Sequence, residues 1–473
     1  MSRLAYAVGD VRAAEQQLMG TLPDGVLMQR AASGLAAACA DLLGGARGGV
    51  YGARVLVLAG SGANGGDALY AAARLARRGA AVDALLLSGD KVHPGALADL
   101  RAAGGRVVDH VASADLVLDG IVGIGGSGGL RPDAAEVWHR VRSLDATVVA
   151  VDVPSGIGVD DGTVDGAHVD ADVTVTFGAY KVGLLAGPGA RAAGAVHLVD
   201  IGLAEYLHRP ALHALTAGDV AAVLAEVAPG PGDHKYTRGV VGMATGSAEF
   251  TGAGVLATAG ASCGLAGMVR YDGPREVADL VRARHPEVVV GTGRVQCWVV
   301  GSGGGGDASA VLDRARADGV PLVVDADALQ HATEPLGVPA LLTPHAGELA
   351  QVLGIERSAV EAEPLRVARE AARRLQAVVL LKGDRTLVTD GDRNYVNTTG
   401  APWLGTAGAG DVLAGLCGAL LAATADSEID LLQAGAVAAW LHGAAATLAG
   451  AGGPVVAGDV AAALPRVLRE LTA

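Results

Sequence analysis

Along the first half of the chain, short and nearly unbroken apolar runs alternate with longer stretches in which apolar positions recur every three or four residues. The runs are VLVLAG at 55–60, VDALLL at 82–87, ADLVLDG at 114–120, ATVVAVDVP at 146–154 and DVTVTF at 172–177, with a helix predicted from about Asp67. Apolar runs of this length read as strands buried on both faces, and their alternation with helices predicts a parallel sheet covered on both sides, a Rossmann-like three-layer αβα domain. The periodicity weakens over 203–233, where PGPGD punctuates the chain. A domain boundary is expected at 210–230, dividing the sequence into 1–210 and 211–473. A second α/β series follows, with strands read in GVVGMATG, CWVVGSG, PLVVDAD and AVVLLKGD and long helical segments at the end. The two halves share no motif order, which argues against an internal duplication.

Length supports the division, since single cores stop growing near about 250–300 residues and this chain has 473. No uninterrupted apolar stretch of about 18 residues is evident, and the N-terminus lacks the layout of a secretory signal, so a soluble cytoplasmic protein with no membrane partner is expected. A net charge of -14 disfavours nucleic acid and leaves small molecules as the expected partners. The four cysteines, Cys39, Cys263, Cys297 and Cys417, lie far apart in apolar surroundings and are expected to be reduced thiols. The chain has four lysines, Lys91, Lys181, Lys235 and Lys382, against many arginines. A retained ammonium in such a background is a candidate for a task that a planar guanidinium does not perform.

Glycine, at 71 residues, clusters after the apolar runs. In the first half, the run from Gly60 through Ala63, Asn64, Gly65, Gly66 and Asp67 follows a strand and opens a helix, a setting that receives phosphate. Asp119 precedes Gly123, Ile124, Gly125, Gly126, Ser127, Gly128 and Gly129, and Asp152 ends another strand in VDVPSG. Three neighbouring strand ends with oxygen ligands mark the carboxyl edge of a sheet, where α/β proteins bind ligands. Asn64, Asp119 and Ser155 form an all-oxygen donor set suited to a hard cation. Asp152 is the candidate proton shuttle, with Lys181 as a second proton-transfer or charge-stabilising group.

In the second half, Gly405, Thr406, Ala407, Gly408, Ala409 and Gly410 lead through Asp411 into the apolar helix DVLAGLCGALLAA. Small residues at a helix start present bare amides to an oxyanion. A carboxylate there is explained if it takes a proton from an attacking hydroxyl, as in sugar kinases of the ribokinase type; an ordinary N-cap is the alternative. Lys382, at the end of its strand, suits phosphate or ribose contact, and His345 and Glu348 occupy another strand-to-helix loop.

The blocks ANGGDA, DGIVGIGGSGG, VDVPSG and VTFGAYKVGL, in that order over roughly 10–205, resemble the NAD(P)H-hydrate epimerase family. The resemblance implies potassium on Asn64, Asp119 and Ser155, and the hydrate on residues 63–67, 123–129 and Asp152. Ala63 and Ala68 stand where that family usually has asparagine and glycine. The order HK, TGAG, DADAL, TPHAGEL, LLKG, YVNTTG and GTAGAGDVLAG over roughly 225–470 resembles the ADP- or ATP-dependent NAD(P)H-hydrate dehydratases, a ribokinase-like branch. That resemblance implies ADP or ATP on Lys382, Gly383, Asp384, Arg385 and Thr386 and on 401–410. It implies the hydrate on Ala253, Gly303, Pro344, His345, Ala346, Gly347, Glu348, Leu349, Ala350 and Asp411, with Mg²⁺ accompanying the nucleotide. The family's glycine-proline-glycine loop reads here as Gly301-Ser302-Gly303-Gly304-Gly305-Gly306, without proline. Together the halves imply repair of hydrated NADH and NADPH (NADHX and NADPHX) by an assembly of several identical subunits. The alternative is a ribokinase-type small-molecule kinase fused to a non-catalytic Rossmann-like module.

Overall fold

The computed structural model describes residues 3–110, 112–126 and 128–472; Ser127, named among the hydrate-binding candidates, lies outside the described residues. The chain divides into two compact units, one holding Leu4–Ala211 and the other running on from Leu212.

The strands of the first unit are β1 (Arg3–Tyr6), β2 (Arg54–Ala59), β3 (Ala81–Leu86), β4 (Arg106–Val107), β5 (Leu116–Gly120), β6 (Thr147–Val151), β7 (Val173–Phe177), β8 (Tyr180–Lys181) and β9 (Ala195–Val199). Seven of them form one sheet in the order β4-β3-β2-β5-β6-β7-β9, parallel throughout. β1 pairs separately with β8, Ala5 opposite Tyr180. The strand period of two assigns the layers. Val55, Val57 and Ala59 of β2 enter a core shared with helices Val26–Arg47 and Ala63–Arg77, while Leu56 and Leu58 enter a second core with Trp138 of helix Pro132–Val141. Both faces are covered, which is why β2 shows no polar alternation.

The second unit contains β10 (Leu212–Ala214), β11 (Val240–Ala244), β12 (Met268–Tyr271), β13 (Val289–Val290), β14 (Cys297–Val300), β15 (Leu322–Val324), β16 (Ala340–Leu342), β17 (Val378–Leu381), β18 (Thr386–Thr389) and β19 (Asn394–Asn397). They lie in the order β13-β12-β11-β14-β15-β16-β17-β18-β19-β10. The series is parallel from β13 to β17, and β18 and β19 add an antiparallel extension. β12, β16, β18 and β19 are short strands that the apolar pattern does not single out.

Glycines set how the second unit's helices meet. A Cβ on Gly415 of helix Ala409–Ala423 would lie 1.9 Å from the Ala257 carbonyl oxygen, and one on Gly260 of helix Thr251–Ala261 would lie 2.1 Å from that of Val412. Only backbone-to-backbone contact fits there, and it brings the starts of both helices to one edge of the sheet. Helices Val26–Arg47 and Leu431–Gly450 have the length and mean hydropathy of a membrane span, yet each packs apolar residues into its own unit's core. All four cysteines are free and buried.

Candidate active sites

Three adjacent strands of the first unit, β2, β5 and β6, deliver the predicted residues to one edge. Helix Ala63–Arg77 starts four residues earlier than the pattern predicts, so Asn64, Gly65, Gly66 and Asp67 belong to its first turns. The glycines are required by packing: a Cβ on Gly65 would lie 2.4 Å from the Gly60 carbonyl oxygen, and one on Gly66 would lie 3.2 Å from the His93 side chain. Close approach, and not a loop conformation, explains this motif. Ala68, at one of the family departures, is fully buried, and a Cβ on Gly120 would meet its methyl at 2.6 Å.

Asp119 is fully buried and accepts hydrogen bonds from the Ser155 amide (2.8 Å), the Ser155 hydroxyl (2.7 Å) and the Ile121 amide (3.2 Å). Burial pushes its carboxyl up to about 6 although these donors favour the charged form. The Ser155 hydroxyl also accepts from the Val122 amide at 2.9 Å. The Asn64 carboxamide lies against Gly123, its Oδ1 2.9 Å from the place of a Cβ there, and its Nδ2 is buried without a partner. Asn64, Asp119 and Ser155 are therefore brought together in a buried, oxygen-rich neighbourhood with one formal negative charge.

Asp152 follows β6 with φ of 67°, a left-handed conformation unusual outside glycine. The Lys181 ammonium is buried and donates to Asp152 Oδ1 (2.5 Å), Thr176 Oγ1 (3.0 Å) and the Phe177 carbonyl (3.0 Å). Asp152 also accepts from Thr176 Oγ1 at 3.1 Å and the Phe177 amide at 3.2 Å. The two residues proposed for proton transfer form one buried pair. Around it stand Asp67, 9% exposed, and Glu15 of helix Val8–Met19, both shifted upward first by burial. Arg12, one turn before Glu15, donates to the Ile124 carbonyl at 3.2 Å, over the loop in which the Gly126 amide closes a turn on Gly123. Gly125, Gly126, Gly128 and Gly129 line a cavity of about 230 Å³ with Arg131. Sequence reasoning missed Arg12 and Glu15; the only signal is an amphipathic helix whose buried face is Val11, Ala14 and Leu18.

In the second unit, helix Ala409–Ala423 starts behind Gly408, whose φ of 84° turns the chain into it. Asp411 is the third helical residue and the helix has no side-chain cap, which removes the N-cap alternative. Burial first, then the charges of Asp325 and Asp327, push its carboxyl up to about 7, against the pull of the Lys382 ammonium and a Ser302 hydrogen bond. Lys382 donates to Asp325 Oδ1 at 2.9 Å and lies 3.7 Å from Glu348; its Nζ is 3.3 Å from the place of a Cβ on Gly410. Burial opposes that ammonium, but Asp325, Glu348 and Asp411 outweigh it and the net shift is upward.

Asp325 is the hub of this site, accepting also from Ser302 Oγ at 2.9 Å and Thr343 Oγ1 at 2.7 Å. The Gly305 amide donates to Asp327 at 2.9 Å, tying down the glycine loop that lacks proline. His345 and Glu348 cap helix Ala346–Leu353 reciprocally, so Pro344, Ala346, Gly347, Leu349 and Ala350 gather about one helix start, held to Lys382 by a bridge at His345. Gly303 meets Ala253, with 2.6 Å between the latter's Cβ and the place of its own. Gly383, Asp384, Arg385 and Thr386 form the turn from β17 into β18, with the Arg385 Nε buried and unpartnered. Gly405, Thr406 and Ala407 approach Gly408 through a short 3₁₀ turn at Pro402–Leu404. His442, 5% exposed, was missed by sequence; it lies at the Ala409 main chain, and burial pushes it down to about 4, which keeps it neutral.

These arrangements define the class: a Rossmann-like αβα unit joined in one chain to a ribokinase-like α/β unit, each with ionisable groups at the carboxyl edge of its parallel sheet. Residues 24–183 match the family described as YjeF-related protein N-terminus, and residues 241–464 that described as NAD(P)H-hydrate dehydratase. The bifunctional NAD(P)H-hydrate repair enzyme Nnr of Mycobacterium tuberculosis H37Rv is 47% identical over 433 residues, covering 88% of this chain and 89% of the relative. That of Mycobacterium leprae is 46% identical and covers 98% of both chains. The NAD(P)H-hydrate epimerase of Microbacterium testaceum is 48% identical, covering 43% of this chain and 81% of the relative. Among solved structures, the ADP/ATP-dependent NAD(P)H-hydrate dehydratase of Bacillus subtilis, co-crystallised with ATP/Mg²⁺, aligns with a TM-score of 0.50 at 28% identity, covering 54% of this chain and 97% of its own. The chain belongs to the bifunctional NAD(P)H-hydrate repair enzymes.

Proposed function

We propose that residues 1–210 interconvert the R and S hydrates of NADH and NADPH, and that residues 211–473 dehydrate the S hydrate with ADP or ATP. The observation that carries this reading is Asp411, a carboxyl set at an amide-rich helix start beside the Lys382 ammonium. In its ionised form Asp411 accepts the proton of the hydrate hydroxyl as the oxygen attacks the terminal phosphoryl group. Lys382 and the amides around Gly408 and Ala409 receive the charge on the transferring group. The phosphorylated oxygen is then a good leaving group, and its departure as phosphate, with loss of a proton from the neighbouring ring carbon, restores the ring double bond.

Mg²⁺ would enter as an ion carried by the nucleotide phosphates, where it would neutralise charge on the transferring group. In the first unit, Asn64, Asp119 and Ser155 suit potassium, whose charge would offset the buried Asp119 carboxylate. Asp152 and Lys181 move the proton that epimerisation requires. The test is a mixture of hydrated NADH epimers with ADP, Mg²⁺ and potassium. Both epimers should return to NADH, read as regained dihydronicotinamide absorbance; a plateau after one epimer is spent would remove the epimerase assignment, and no recovery would remove the dehydratase.

A further inference from the structure

The first unit holds an ionisable group that neither the Asp152–Lys181 pair nor the cation site uses. Asp67 is buried, and its Oδ1 is out of contact with solvent and has no hydrogen-bond partner. A buried carboxyl oxygen left in this way is costly unless it carries a proton or meets a ligand. The groups that act on it are Asp152 and Glu15, both carboxyls, and His93 packs on the neighbouring Gly66. Cations are scarce. An ammonium has three donors, and Lys181 spends one each on Asp152, Thr176 and Phe177, leaving none for Asp67 or Glu15. Arg12 holds the Ile124 carbonyl. Asp67 and Asp152 are buried and Glu15 is half-buried beside them; the one ammonium is committed to Asp152, and the charges of Lys181 and Arg12 act on Glu15, whereas among the described residues no cation acts on Asp67.

We propose that Asp67 is the proton donor of epimerisation, working with Asp152 as the proton acceptor. The inference rests on the epimerase reading of this unit and adds a role to it. Burial, followed by the charges of Asp152 and Glu15, raises the Asp67 carboxyl well above its ordinary range, so it enters the reaction as the acid. Asp152, bonded to the ammonium, enters as the base. Epimerisation needs both, because the hydroxyl must leave one face of the ring carbon and return to the other. Asp67 gives its proton to the hydroxyl oxygen as the C–O bond breaks and the lone pair of the adjacent ring nitrogen forms a C=N⁺ bond, releasing water. Water then adds to the opposite face of that carbon, the π pair returns to nitrogen, and the surplus proton of the water passes to Asp152. Proton exchange with solvent restores the acid and the carboxylate. No oxidant or reductant is involved.

The experiment follows interconversion of the separated R and S hydrates by the full chain in potassium buffer without nucleotide. Asp67→Asn keeps the shape but has no acidic proton to give; its kcat should fall about 10²–10⁴-fold with KM changed less than about threefold. Its melting temperature should stay near that of the parent. The parent's kcat should fall about tenfold per pH unit once pH exceeds the Asp67 pKa, and Asp67→Glu should recover part of the rate and the same alkaline limb. If Asp67→Asn does not fold, the parent's alkaline limb and the Glu variant decide. An Asn variant with near-parental kcat, a loss confined to KM, or a parent rate that stays flat into the alkaline range overturns the proposal. A parent that does not interconvert the epimers overturns the reading of the unit itself, whereas an active parent with an equally active Asn variant overturns this inference alone.

Discussion

The two units place acids at the same kind of sheet edge and treat them in different ways. Asp152 is bonded at 2.5 Å to a buried ammonium that serves no other carboxylate among its hydrogen bonds, and its backbone is in a left-handed conformation unusual outside glycine. Asp411 has no such bond; Lys382 donates to Asp325 instead, and Asp411 is pushed up to about 7. Glycine also serves two ends. Gly65 lets a helix start press on the Gly60 carbonyl, whereas Gly408 turns the chain so that amides face outward at a helix start. On the proposed roles, the same kind of sheet edge would carry a fixed ion pair for moving protons within a substrate in one unit, and an uncommitted base for a nucleotide-driven step in the other.

The sharpest way to break this contrast is Asp411→Asn. Dehydration should fall by at least about 10²–10⁴-fold while epimerisation continues, because the amide cannot accept the hydroxyl proton. Nucleotide affinity, measured by calorimetry, should hold or rise, since one negative charge leaves the phosphate site. A variant that dehydrates at near-parental rate would reduce Asp411 to a structural residue.

Lys181→Met tests the other half. Removing one partner of a buried pair leaves Asp152 uncompensated, which costs about 3–5 kcal/mol, so thermal unfolding of the first unit should shift to clearly lower temperature. An unchanged melting profile would mean that the pair is not the fixed element described above.

The pH dependence comes next in size. Asp411 must be ionised to act as base and its folded-state pKa is raised to about 7, so kcat/KM for dehydration should climb about tenfold per unit below that value and level off above it. A limb near the ordinary carboxylate range would show that burial does not control this group.

The smallest effect concerns potassium. Epimerisation should be several-fold faster in potassium than in a bulky organic cation, and Asp119→Asn should flatten that difference. Equal rates in both buffers for the parent chain would remove the cation from the first site.

Much of this was legible in the chain itself. Apolar runs such as VLVLAG and CWVVGSG mark buried strands because a parallel sheet covered on both faces tolerates no polar alternation. Asp119 and Asp152 stand out because polar residues at the ends of such runs have few structural reasons to be there, and Asn64 and Asp411 because they sit where glycine-rich stretches lead into helices. Other features needed the tertiary structure. The start of helix Ala63–Arg77 depended on contact between Gly65 and Gly60, which no local propensity encodes. Glu15 and Arg12 lie far from the motifs in sequence and reach the site only because Val11, Ala14 and Leu18 bury the other face of their helix. The pairing of Lys382 with Asp325, 57 positions away, left Asp411 without a hydrogen-bonded counter-ion. Sequence determined which residues could do chemistry, because side-chain type and strand-end position are local. The fold alone decided which acid is paired and which is left uncommitted, because burial and counter-ion distance are properties of packing.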